Sequence, residues 1–453
     1  MSVLLLSTYD LGRQPFGLAS PAAWLKRAGH QVLTRDLSRD KLQEDDVTGA
    51  SLVAFYLPMH TATRLALPVI EHVRQSNPAA HIAAYGLYAP LSDSLLRTHG
   101  VGTVLGPEAE NDLVELAMSL GGEAPASVEW RDVQSGPRRA RYLPRLPFII
   151  PDRGGLPGAS HYAHLHMPDG SRRVVGATDA TRGCKHRCRH CPIVPIYDGQ
   201  FRVVAIDVVL ADIDQQVAAG VEHITFGDPD FFNGPTHARR IVEALHQRHP
   251  ALTYDVTVKV EHLLKHGDLL PVLARTGCVF VTSAVESFDD AVLAKLEKGH
   301  TRADFVEALR LCREAGINLV PTFVAFTPWT TLETYRDLLA TVDRLGLVEH
   351  VSPVQWGLRL LVTEGSRLLE LAEVRQRVAA FDSATLTYPW RHDDPRVDVL
   401  QAVIMREVGV RAVGSRAEVF AAVCEAAGLT DRLTQSDVPD RATIPYLEEP
   451  WYC

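Results

Sequence analysis

The sequence predicts an α/β protein with two successive parallel sheets. Over residues 1–122, short apolar runs alternate with amphipathic stretches, and the same alternation returns over residues 174–365. Strands that alternate with helical patterns are typical of parallel β-sheets. We therefore predict a doubly wound sheet, then an incomplete (β/α)6 barrel, and a mainly helical C-terminal extension over residues 366–453.

The N-terminal unit, residues 1–122, starts with the apolar run "VLLLS" and continues through "QVLTRD", "SLVAFYL", "HIAAYG" and "GTVLG". With the helical stretches between them, these runs give the order β, α, β, β, α, β, α, β, α. That order predicts a Rossmann-like doubly wound sheet. Such a sheet offers a ligand crevice beyond the carboxyl ends of its strands.

Residues 123–173 are predicted to form a linker, because the alternation gives way to a Pro-, Gly- and Arg-rich stretch, "SGPRRARYLPRLPFIIPDRGGLPGAS". Its part "YLPRLPFII" is too apolar for a disordered tether. We expect the linker to lie against the neighbouring domains.

Residues 174–365 repeat a strand-helix unit. Helical patterns such as "IDVVLADIDQQVAAG", where Val209, Ile213 and Val217 recur every fourth residue before Gly220, separate the strands. The six strand-like runs are "RRVVGAT", "HITFGD", "TYDVTVK", "CVFVTSA", "INLVPTFVAF" and "VSPVQWGLRLLV". Six β/α steps predict a partial barrel with its chemistry at the carboxyl ends of the strands.

Composition excludes several classes of protein. Apolar residues make up 46% and charged residues 22%, and the net charge of −9 offers no basic surface for nucleic acid. No apolar run is long enough to span a membrane, and "MSVLLLSTYDLG" lacks the features of a signal peptide. We predict a cytoplasmic protein, in which seven cysteines indicate metal or catalytic thiols rather than disulfides.

Three of these cysteines, Cys184, Cys188 and Cys191, follow the first barrel strand in "GCKHRCRHC". Three thiolates can hold three irons of a cubane cluster and leave the fourth iron open to an external ligand. The competing interpretation is a zinc ion bound by the three cysteines and either His186 or His190. The spacing alone leaves both open.

The cysteine spacing, with His190 before the last cysteine, resembles the radical S-adenosylmethionine (SAM) superfamily. The resemblance implies that Cys184, Cys188 and Cys191 bind a [4Fe–4S] cluster whose open iron binds SAM. It extends to "FGDPDFF" and "TSAVES", at the ends of the second and fourth strands.

The same resemblance implies the residues that bind SAM. Gly227 and Asp228 correspond to the position that binds the methionine amino group, unless "FGDPDFF" is an ordinary strand-ending turn. Ser283 and Glu286 are candidates for the ribose or the methionine part. Lys259 and Arg359 either pair with the SAM carboxylate or form structural ion pairs.

The N-terminal sheet resembles the cobalamin-binding domain that precedes the barrel in one class of this superfamily. "LGPEAENDL" keeps Gly106, Glu108 and Glu110 around Pro107, a departure from the usual Gly-Glu-x-Glu form. No Asp-x-His-x-x-Gly segment supplies an axial histidine, so a bound cobalamin would be base-off. The alternative is a degenerate domain with a structural role.

The C-terminal end "IPYLEEPWYC" resembles the radical SAM proteins named for a Cys-selenocysteine-Ala-Glu-Pro or Cys-Cys-Ala-Glu-Pro tail, as do "TRGCKHRCRHCP" and "TPWTTLETY". By that resemblance the native chain continues past Cys453, through a UGA codon read as selenocysteine or through a second cysteine. Cys453 is then a catalytic candidate that delivers a thiol to the active site; the alternative is an incidental terminal cysteine.

These patterns predict an enzyme that reductively cleaves SAM and modifies an unidentified small molecule, with an electron donor such as flavodoxin or ferredoxin. Cobalamin-dependent methyl transfer and aminocarboxypropyl transfer are alternatives. A non-enzymatic iron–sulfur or zinc scaffold is a third, and the polar residues Asp228, Ser283 and Glu286 at successive strand ends argue against it.

Overall fold

Two mainly parallel sheets form the framework of the protein, as the sequence predicts. The computed structural model describes residues 1–122, 143, 145–429 and 442–448. Among these residues, the first sheet has five strands and the second has seven, and a two-stranded hairpin lies beside the second sheet.

The first sheet and its helices occupy the N-terminal unit. Its elements are β1 (Ser2–Ser7), α1 (Phe16–Arg27), β2 (Gln31–Asp36), α2 (Glu44–Thr48), β3 (Leu52–Tyr56), α3 (His60–Ser76), β4 (His81–Tyr85), α4 (Asp93–Thr98), β5 (Thr103–Val104) and α5 (Glu110–Leu120).

The strand order β2-β1-β3-β4-β5 is parallel throughout, and β1 pairs with both β2 and β3. Leu4 and Leu6 of β1 pack into one core cluster and Val3 and Leu5 into the other, so both faces of the strand are buried. This explains why β1 is a continuous apolar run rather than an alternating one. The order reverses beside β1, where the carboxyl ends of β1 and β3 leave a crevice.

Residues 145–157, within the predicted linker, contact both domains. Asp152 forms an ion pair with Lys26 of α1 at 2.8 Å. Arg153 is buried; it binds the carboxylate of Asp212 at 2.8 Å and donates to the side-chain oxygen of Gln14 at 2.7 Å. Because Gln14 and Asp212 belong to different domains, this segment joins the two sheets.

The second sheet begins inside the range predicted as linker. Its strands and helices are β6 (His164–His166), β7 (Arg172–Thr178), β8 (Thr181–Gly183), α6 (Val194–Tyr197), β9 (Phe201–Val203), α7 (Ile206–Ala218), β10 (His223–Phe226), α8 (Pro235–Arg248), β11 (Thr253–Thr257), α9 (Val260–Lys265), α10 (Leu270–Arg275), β12 (Cys278–Glu286), α11 (Asp290–Lys295), α12 (Arg302–Glu314), β13 (Asn318–Phe323) and α13 (Leu332–Arg344).

The order of this sheet is β13-β12-β11-β10-β7-β6-β14, where β14 (Tyr446–Leu447) comes from the C-terminal extension. Strands β7 and β10–β13 are parallel and form a curled half-barrel. The largest core cluster packs between these strands and the helices around them. Apolar side chains of Leu165, Val175 and Phe280 lie on the concave face. The carboxyl ends of the parallel strands therefore meet at one rim, as the repeat predicts.

The sixth predicted strand is shorter than the sequence indicates. Pro353–Trp356 form a 3-10 helix, and of the following residues only those around Arg359 pair, in a single parallel bridge with Phe326 beyond the end of β13. There the Phe326 amide donates to the Leu358 carbonyl at 3.0 Å, and the Leu360 amide donates to the Phe326 carbonyl at 2.8 Å. Pro353 has no amide hydrogen to donate to a ladder, which explains why the strand starts late.

The C-terminal extension is mainly helical and returns to the half-barrel. Its elements are α14 (Ala372–Arg377), α15 (Pro395–Val410), α16 (Arg416–Ala426) and β14 (Tyr446–Leu447). β14 pairs antiparallel with β6, while the Thr443 amide donates to Glu349 at 3.2 Å, beyond α13. Residues 442–448 thus contact both sides of the open sheet. Among the described residues, no helix combines the length and the apolar character needed to cross a membrane.

Candidate functional site

The three clustered cysteines lie in the loop between β8 and β9, at the rim where the parallel strands end. The two strands pair from Thr181↔Val203 to Gly183↔Phe201, so the loop starts and ends at neighbouring points. Gly183 has φ +78°, and a Cβ there would lie 2.3 Å from the Tyr197 ring and 2.8 Å from the Gln200 carbonyl. Only glycine fits at this entry to the loop.

Asp228 and Asn233, which both follow β10, bind the residues at the start of the cysteine loop. Asp228 accepts from the Ala180 amide at 2.9 Å and from the Thr181 hydroxyl at 2.5 Å. The side chain of Asn233 accepts from the Lys185 amide and donates to the Gly183 carbonyl, both at 3.2 Å. Burial, and then the charge of Asp179, raise the pKa of Asp228 to about 7.

The donor set of the loop fits an iron–sulfur cluster. Burial raises the pKa of Cys184 to about 12, and the charges of Asp230, Cys191 and Cys188 act in the same direction. Burial likewise raises the pKa of Cys191 to about 11. The mutual effect of the thiols indicates that they lie close together, and thiolates are the ligands that hold such clusters.

The two loop histidines that could complete a zinc site with the cysteines are each placed beside a carboxylate. His190 Nε2 lies 3.1 Å from Glu286 Oε1, and His186 Nε2 lies 3.2 Å from Asp230 Oδ2. This placement disfavours the interpretation of the cysteine loop as a four-ligand zinc site.

Glu286 ends β12 in a left-handed conformation, with φ +70°, next to a register shift between Ala284 and Glu286. Its carboxylate binds Lys298 Nζ at 3.3 Å as well as His190. Burial alone would raise the pKa of Glu286, but the charges of Lys298 and then His190 hold it at about 2. The ionised carboxylate therefore links the cysteine loop to the end of β12.

Lys298, the first residue of the segment "KGHT", lies at the site but was not among the site residues predicted from the sequence. Its side chain is only 4% exposed. Burial lowers its pKa, but Glu286 and the thiol of Cys188 raise it by more, so the ammonium lies close to the cysteines. The available sequence signal was the "KGHT" segment itself.

Gly227 and Lys259 lie at the same rim as the cysteine loop. A Cβ on Gly227 would lie 2.4 Å from the Asp179 carboxylate, so glycine allows that side chain to approach. Lys259 Nζ lies 3.2 Å from both His186 Nδ1 and Glu261 Oε2.

Ser283 and Arg359 are placed away from the cysteine loop. Ser283 shares the helix-facing side of β12 with Val281 and Val285, and within the described residues its hydroxyl has no hydrogen-bond partner. Arg359 binds Asp398 of α15 at 2.7 Å and stacks on Trp390 at 3.7 Å. Ser283 points away from the loop because side chains alternate along a strand. Arg359 lies away from it because its acidic partner, Asp398, belongs to the C-terminal extension. Cys453 lies outside the described residues.

A cavity of about 250 Å³ lies inside the half-barrel. Its lining carries both charge signs and several hydroxyls, from Arg13, Asp255, Thr257, Thr282 and Arg416. Residues 445–448 of the C-terminal segment also line it. Asp255 is held by His223 at 2.9 Å and by the Thr225 hydroxyl at 2.6 Å. The cavity can take a small polar ligand.

A second cavity, of about 170 Å³, lies between the carboxyl ends of the first sheet and the hairpin that carries the cysteines. Aromatic side chains narrow it, and the Tyr56 ring lies 2.1 Å from where a Gly17 Cβ would be. The volume is below the roughly 300–1,000 Å³ typical of sites for drug-sized ligands. Its position matches the crevice expected for cobalamin, although the enclosed space is narrow.

Buried charges close the end of this cavity nearest the barrel. Arg182, from β8, binds Glu108 at 3.1 Å and Glu110 at 2.7 Å, and the Tyr197 hydroxyl donates to Glu108 at 2.7 Å. Burial raises the pKa of Glu108, and Arg182 opposes that shift. The two glutamates that the sequence associates with cobalamin are thus engaged with the cysteine hairpin.

Comparison with known proteins gives one family match. Residues 179–345, from the end of β7 to just beyond α13, match the family model described as the Radical SAM superfamily. The matched range includes the three cysteines, Glu286 and Lys298.

Relatives by sequence are distant. The chain is 22% identical over 346 residues to the hopanoid C-3 methylase of Methylococcus capsulatus, covering 72% of this chain and 64% of that protein. It is 27% identical over 259 residues to a tRNA-2-methylthio-N(6)-dimethylallyladenosine synthase of Sorangium cellulosum, covering 48% and 50%. The chain thus spans between half and two thirds of the length of these relatives.

Similarity among solved structures extends over more of the chain. The cobalamin-dependent SAM radical enzyme OxsB, with aqua-cobalamin and SAM bound, superposes with a TM-score of 0.69 at 15% identity, over 91% of this chain and 67% of OxsB. The radical SAM methyltransferase TsrM from Kitasatospora setae, with tryptophan and a SAM analogue, gives 0.64 at 19% identity, over 83% and 77%. At these identities the similarity establishes the fold.

Proposed function

We propose that residues 179–345, which match the Radical SAM superfamily model, form the domain of a radical SAM enzyme with a [4Fe–4S] cluster and SAM as cofactors, and that the whole chain modifies a small molecule by reductive cleavage of SAM. The observation that carries the proposal is the loop of Cys184, Cys188 and Cys191 at the strand-end rim. Three protein thiolates leave one iron of such a cluster for SAM.

When bound, these cofactors supply a one-electron cleavage of a carbon–sulfur bond that yields an organic radical. The chain's own residues hold the cluster and orient the loop that binds it. The three cysteines bind the cluster, Asp228 and Asn233 fix the base of their loop, and Lys298 places a positive charge beside the thiolates. The cavity inside the half-barrel excludes bulk water from a bound substrate.

For SAM itself, Gly227, Glu286 and Lys259 remain the proposed contacts, since they lie at the same rim as the cysteines. Asp228 is better suited to positioning the loop, because its two carboxylate oxygens already accept hydrogen bonds from Ala180 and Thr181. Ser283, on the helix-facing side of β12, and Arg359, paired with Asp398, are less suited to contact SAM.

The decisive experiment is anaerobic reconstitution with iron and sulfide, followed by mass analysis of the products of SAM. 5′-Deoxyadenosine, S-adenosylhomocysteine and methylthioadenosine would indicate hydrogen abstraction, methyl transfer and aminocarboxypropyl transfer, respectively. The proposed main reaction yields 5′-deoxyadenosine. A reconstituted protein with its cluster in place, yet with no cleavage under a strong reductant, would contradict it.

We propose a small polar molecule as the substrate, because both charge signs line the cavity inside the half-barrel. Some curated relatives are named for tRNA, but a net charge of −9 disfavours a polyanion. A flavodoxin or ferredoxin is the proposed electron donor. Electrophoretic shift of tRNA by the reconstituted protein would argue for the other substrate class.

Cobalamin-dependent methyl transfer is the second candidate. It is favoured by the position of the crevice, which faces the cysteine hairpin, and by the OxsB similarity. The narrow volume of the crevice is an argument against cobalamin binding. Incubation with hydroxocobalamin, gel filtration and absorbance spectroscopy test it: about one equivalent of base-off cobalamin per chain supports this candidate, and a colourless protein removes it.

The finer assignment to the proteins with a Cys-selenocysteine-Ala-Glu-Pro or Cys-Cys-Ala-Glu-Pro tail is also proposed, on the motifs given above. In this assignment Cys453 acts at the active site. Full activity of Cys453→Ser would exclude that role. The nucleotides that follow codon 453 test the tail: a stop codon other than UGA would argue against a selenocysteine.

A further inference from the structure

Beside the cysteine loop, three potential metal ligands from three different elements converge. His186 comes from the loop itself, Asp230 follows β10, and His262 lies on α9. The atoms His186 Nε2, Asp230 Oδ2 and His262 Nδ1 all lie within 4.8 Å of one another. The distance to Asp230 Oδ2 is 3.2 Å from His186 and 2.6 Å from His262.

These atoms are buried, and they contact one another as ion pairs whose geometry is poor for hydrogen bonds. The side chains of Asp230 and His262 are each 1% exposed, and that of His186 is 12% exposed. Within the described part of the chain, none of the three atoms has a hydrogen-bond partner in acceptable geometry, although they lie so close. Buried polar atoms without partners are costly, and a metal ion bound between these three atoms would remove that cost.

The spacing suits a metal ion. With metal–ligand bonds of about 2.0–2.1 Å, as zinc makes to imidazole and carboxylate, tetrahedral ligand atoms lie about 3.3 Å apart. The 3.2 Å separation matches, and the 2.6 Å separation needs to open by several tenths of an ångström. Two imidazoles and one carboxylate are a common ligand set for zinc and for ferrous iron.

We propose that His186, Asp230 and His262 bind one divalent transition-metal ion, separate from the cluster on the three cysteines. The other Asp230 oxygen supports this, because it accepts from the Phe232 amide at 3.1 Å and so directs Oδ2 toward the histidines. Three protein ligands leave one position for water or a ligand.

The surroundings can select the required form of His186. Glu261 Oε2 lies 3.6 Å from Nδ1, on the side opposite Nε2, and can accept the Nδ1 proton once Nε2 binds metal. Such an outer carboxylate commonly orients a ligating histidine. Lys259 stays paired with Glu261 at 3.2 Å. In the metal-free alternative, Lys259 donates to His186 Nδ1, and Nε2 carries the proton beside Asp230.

The bound ion joins the cysteine loop to the ends of β10 and β11, since α9 directly follows β11. Its role is to hold the loop conformation in which Cys184 and Cys188, on either side of His186, face the cluster. This role does not depend on which reaction follows SAM cleavage.

The test uses the full chain, reconstituted anaerobically with iron and sulfide and then equilibrated with zinc and a competing chelator. Elemental analysis should give about one zinc per chain beside the cluster iron. His262→Gln and Asp230→Asn should weaken zinc binding by at least about tenfold. The matched control is His266→Gln, since His266 lies one helical turn beyond His262 and its ring is 5.7 Å away. It should bind zinc as the unaltered protein does.

A measurement on the unaltered protein covers the case in which a variant misfolds. Zinc-edge X-ray absorption should show a nitrogen and oxygen shell at about 2.0–2.1 Å, whereas zinc misplaced on the thiols would give sulfur at about 2.3 Å. A sulfur shell overturns the proposal, as does the absence of zinc from protein that carries its cluster. Absence of the cluster from zinc-loaded protein would count against the proposed function instead.

Discussion

At the residue scale, the cysteine loop is a place where buried charges must be balanced. Burial raises the pKa values of Cys184 and Cys191, so these thiols ionise only with help. A metal cluster supplies most of that help, and the ammonium of Lys298 adds to it. Glu286 in turn keeps Lys298 charged inside the protein.

Loss of a single cluster ligand should abolish the cluster. Cys188→Ala is expected to lose cluster iron and all SAM cleavage, because two thiolates hold a [4Fe–4S] cluster poorly. Iron analysis and Mössbauer spectra after reconstitution measure this. Cys312→Ala is the control, since Cys312 is fully buried in the core and should affect stability only. A Cys188→Ala protein with full iron and turnover would refute the site.

Replacement of Glu286 should destabilise the protein in a pH-dependent way. Glu286→Gln leaves buried Lys298 without its counter-charge, which costs about 3–5 kcal/mol at neutral pH. The folded pKa of about 2 lies below the ordinary 4.5, so the stabilisation is complete above pH 4.5 and is lost as the pH falls through 2. Urea unfolding of the metal-free protein measures it. A difference from the unaltered protein that grows toward low pH would contradict the assignment.

At the element scale, the cysteine loop takes its shape from its neighbours. The β8–β9 hairpin closes it, and the turn after β10 binds its base through Asp228 and Asn233. On the far side, the Arg189 amide donates to the Leu296 carbonyl at 2.8 Å, just after α11. The flanking hairpin and two elements distant in sequence thus fix one loop of eight residues, from Cys184 to Cys191.

We therefore expect Asp228 to affect cluster content more than SAM affinity. Asp228→Ala removes the acceptor of two buried hydrogen bonds, at about 1–3 kcal/mol for each group left unpaired. Iron per chain should fall, while SAM affinity per intact cluster, by calorimetry, should stay unchanged. Asp228→Asn keeps one acceptor oxygen, so its iron content per chain should lie between those of Asp228→Ala and the unaltered protein. Normal iron with weakened SAM binding in Asp228→Ala would restore its role as a SAM ligand.

At the scale of the whole molecule, the two sheets are joined by buried ion pairs rather than by an apolar interface alone. Arg182 on the barrel side binds Glu108 and Glu110 of the N-terminal unit, and Arg153, in the connecting segment, binds Asp212 of the barrel and donates to Gln14 of the N-terminal unit. Because removal of one partner strands a buried charge, such pairs resist separation of the domains.

Removal of Arg182 should weaken the joint strongly. Arg182→Met leaves two buried carboxylates without their cation, at a cost of about 3–5 kcal/mol. Thermal unfolding should begin at a clearly lower temperature, and faster amide exchange should concentrate at β8 and at the start of α5. Arg182→Lys keeps the positive charge, so its unfolding temperature should fall less than that of Arg182→Met. Equal melting of Arg182→Met and the unaltered protein would show that the joint is apolar.

The sequence by itself determined the class of the fold and predicted three clustered cysteines as the cluster ligands. Residue periodicity reports burial, so the continuous apolar run of β1 and the spacing of Val209, Ile213 and Val217 in α7 predicted their elements correctly. The three cysteines are close in the chain and needed no tertiary information. Only the tertiary structure could bring Lys298 back to Glu286 across α11, or bring His262, after β11, to Asp230, after β10.

The tertiary structure also decided which polar residues face the site. Ser283 lies near the end of β12, the strand that Glu286 ends, but alternation of side chains and the bulge before Glu286 place the two on opposite faces of that strand. Arg359 binds Asp398 of α15, a contact that no local sequence pattern indicates. The crevice volume depends on how Tyr56 packs against Gly17 across two elements. Local patterns encode which residues are buried, whereas side-chain partners and cavity size depend on contacts between distant segments.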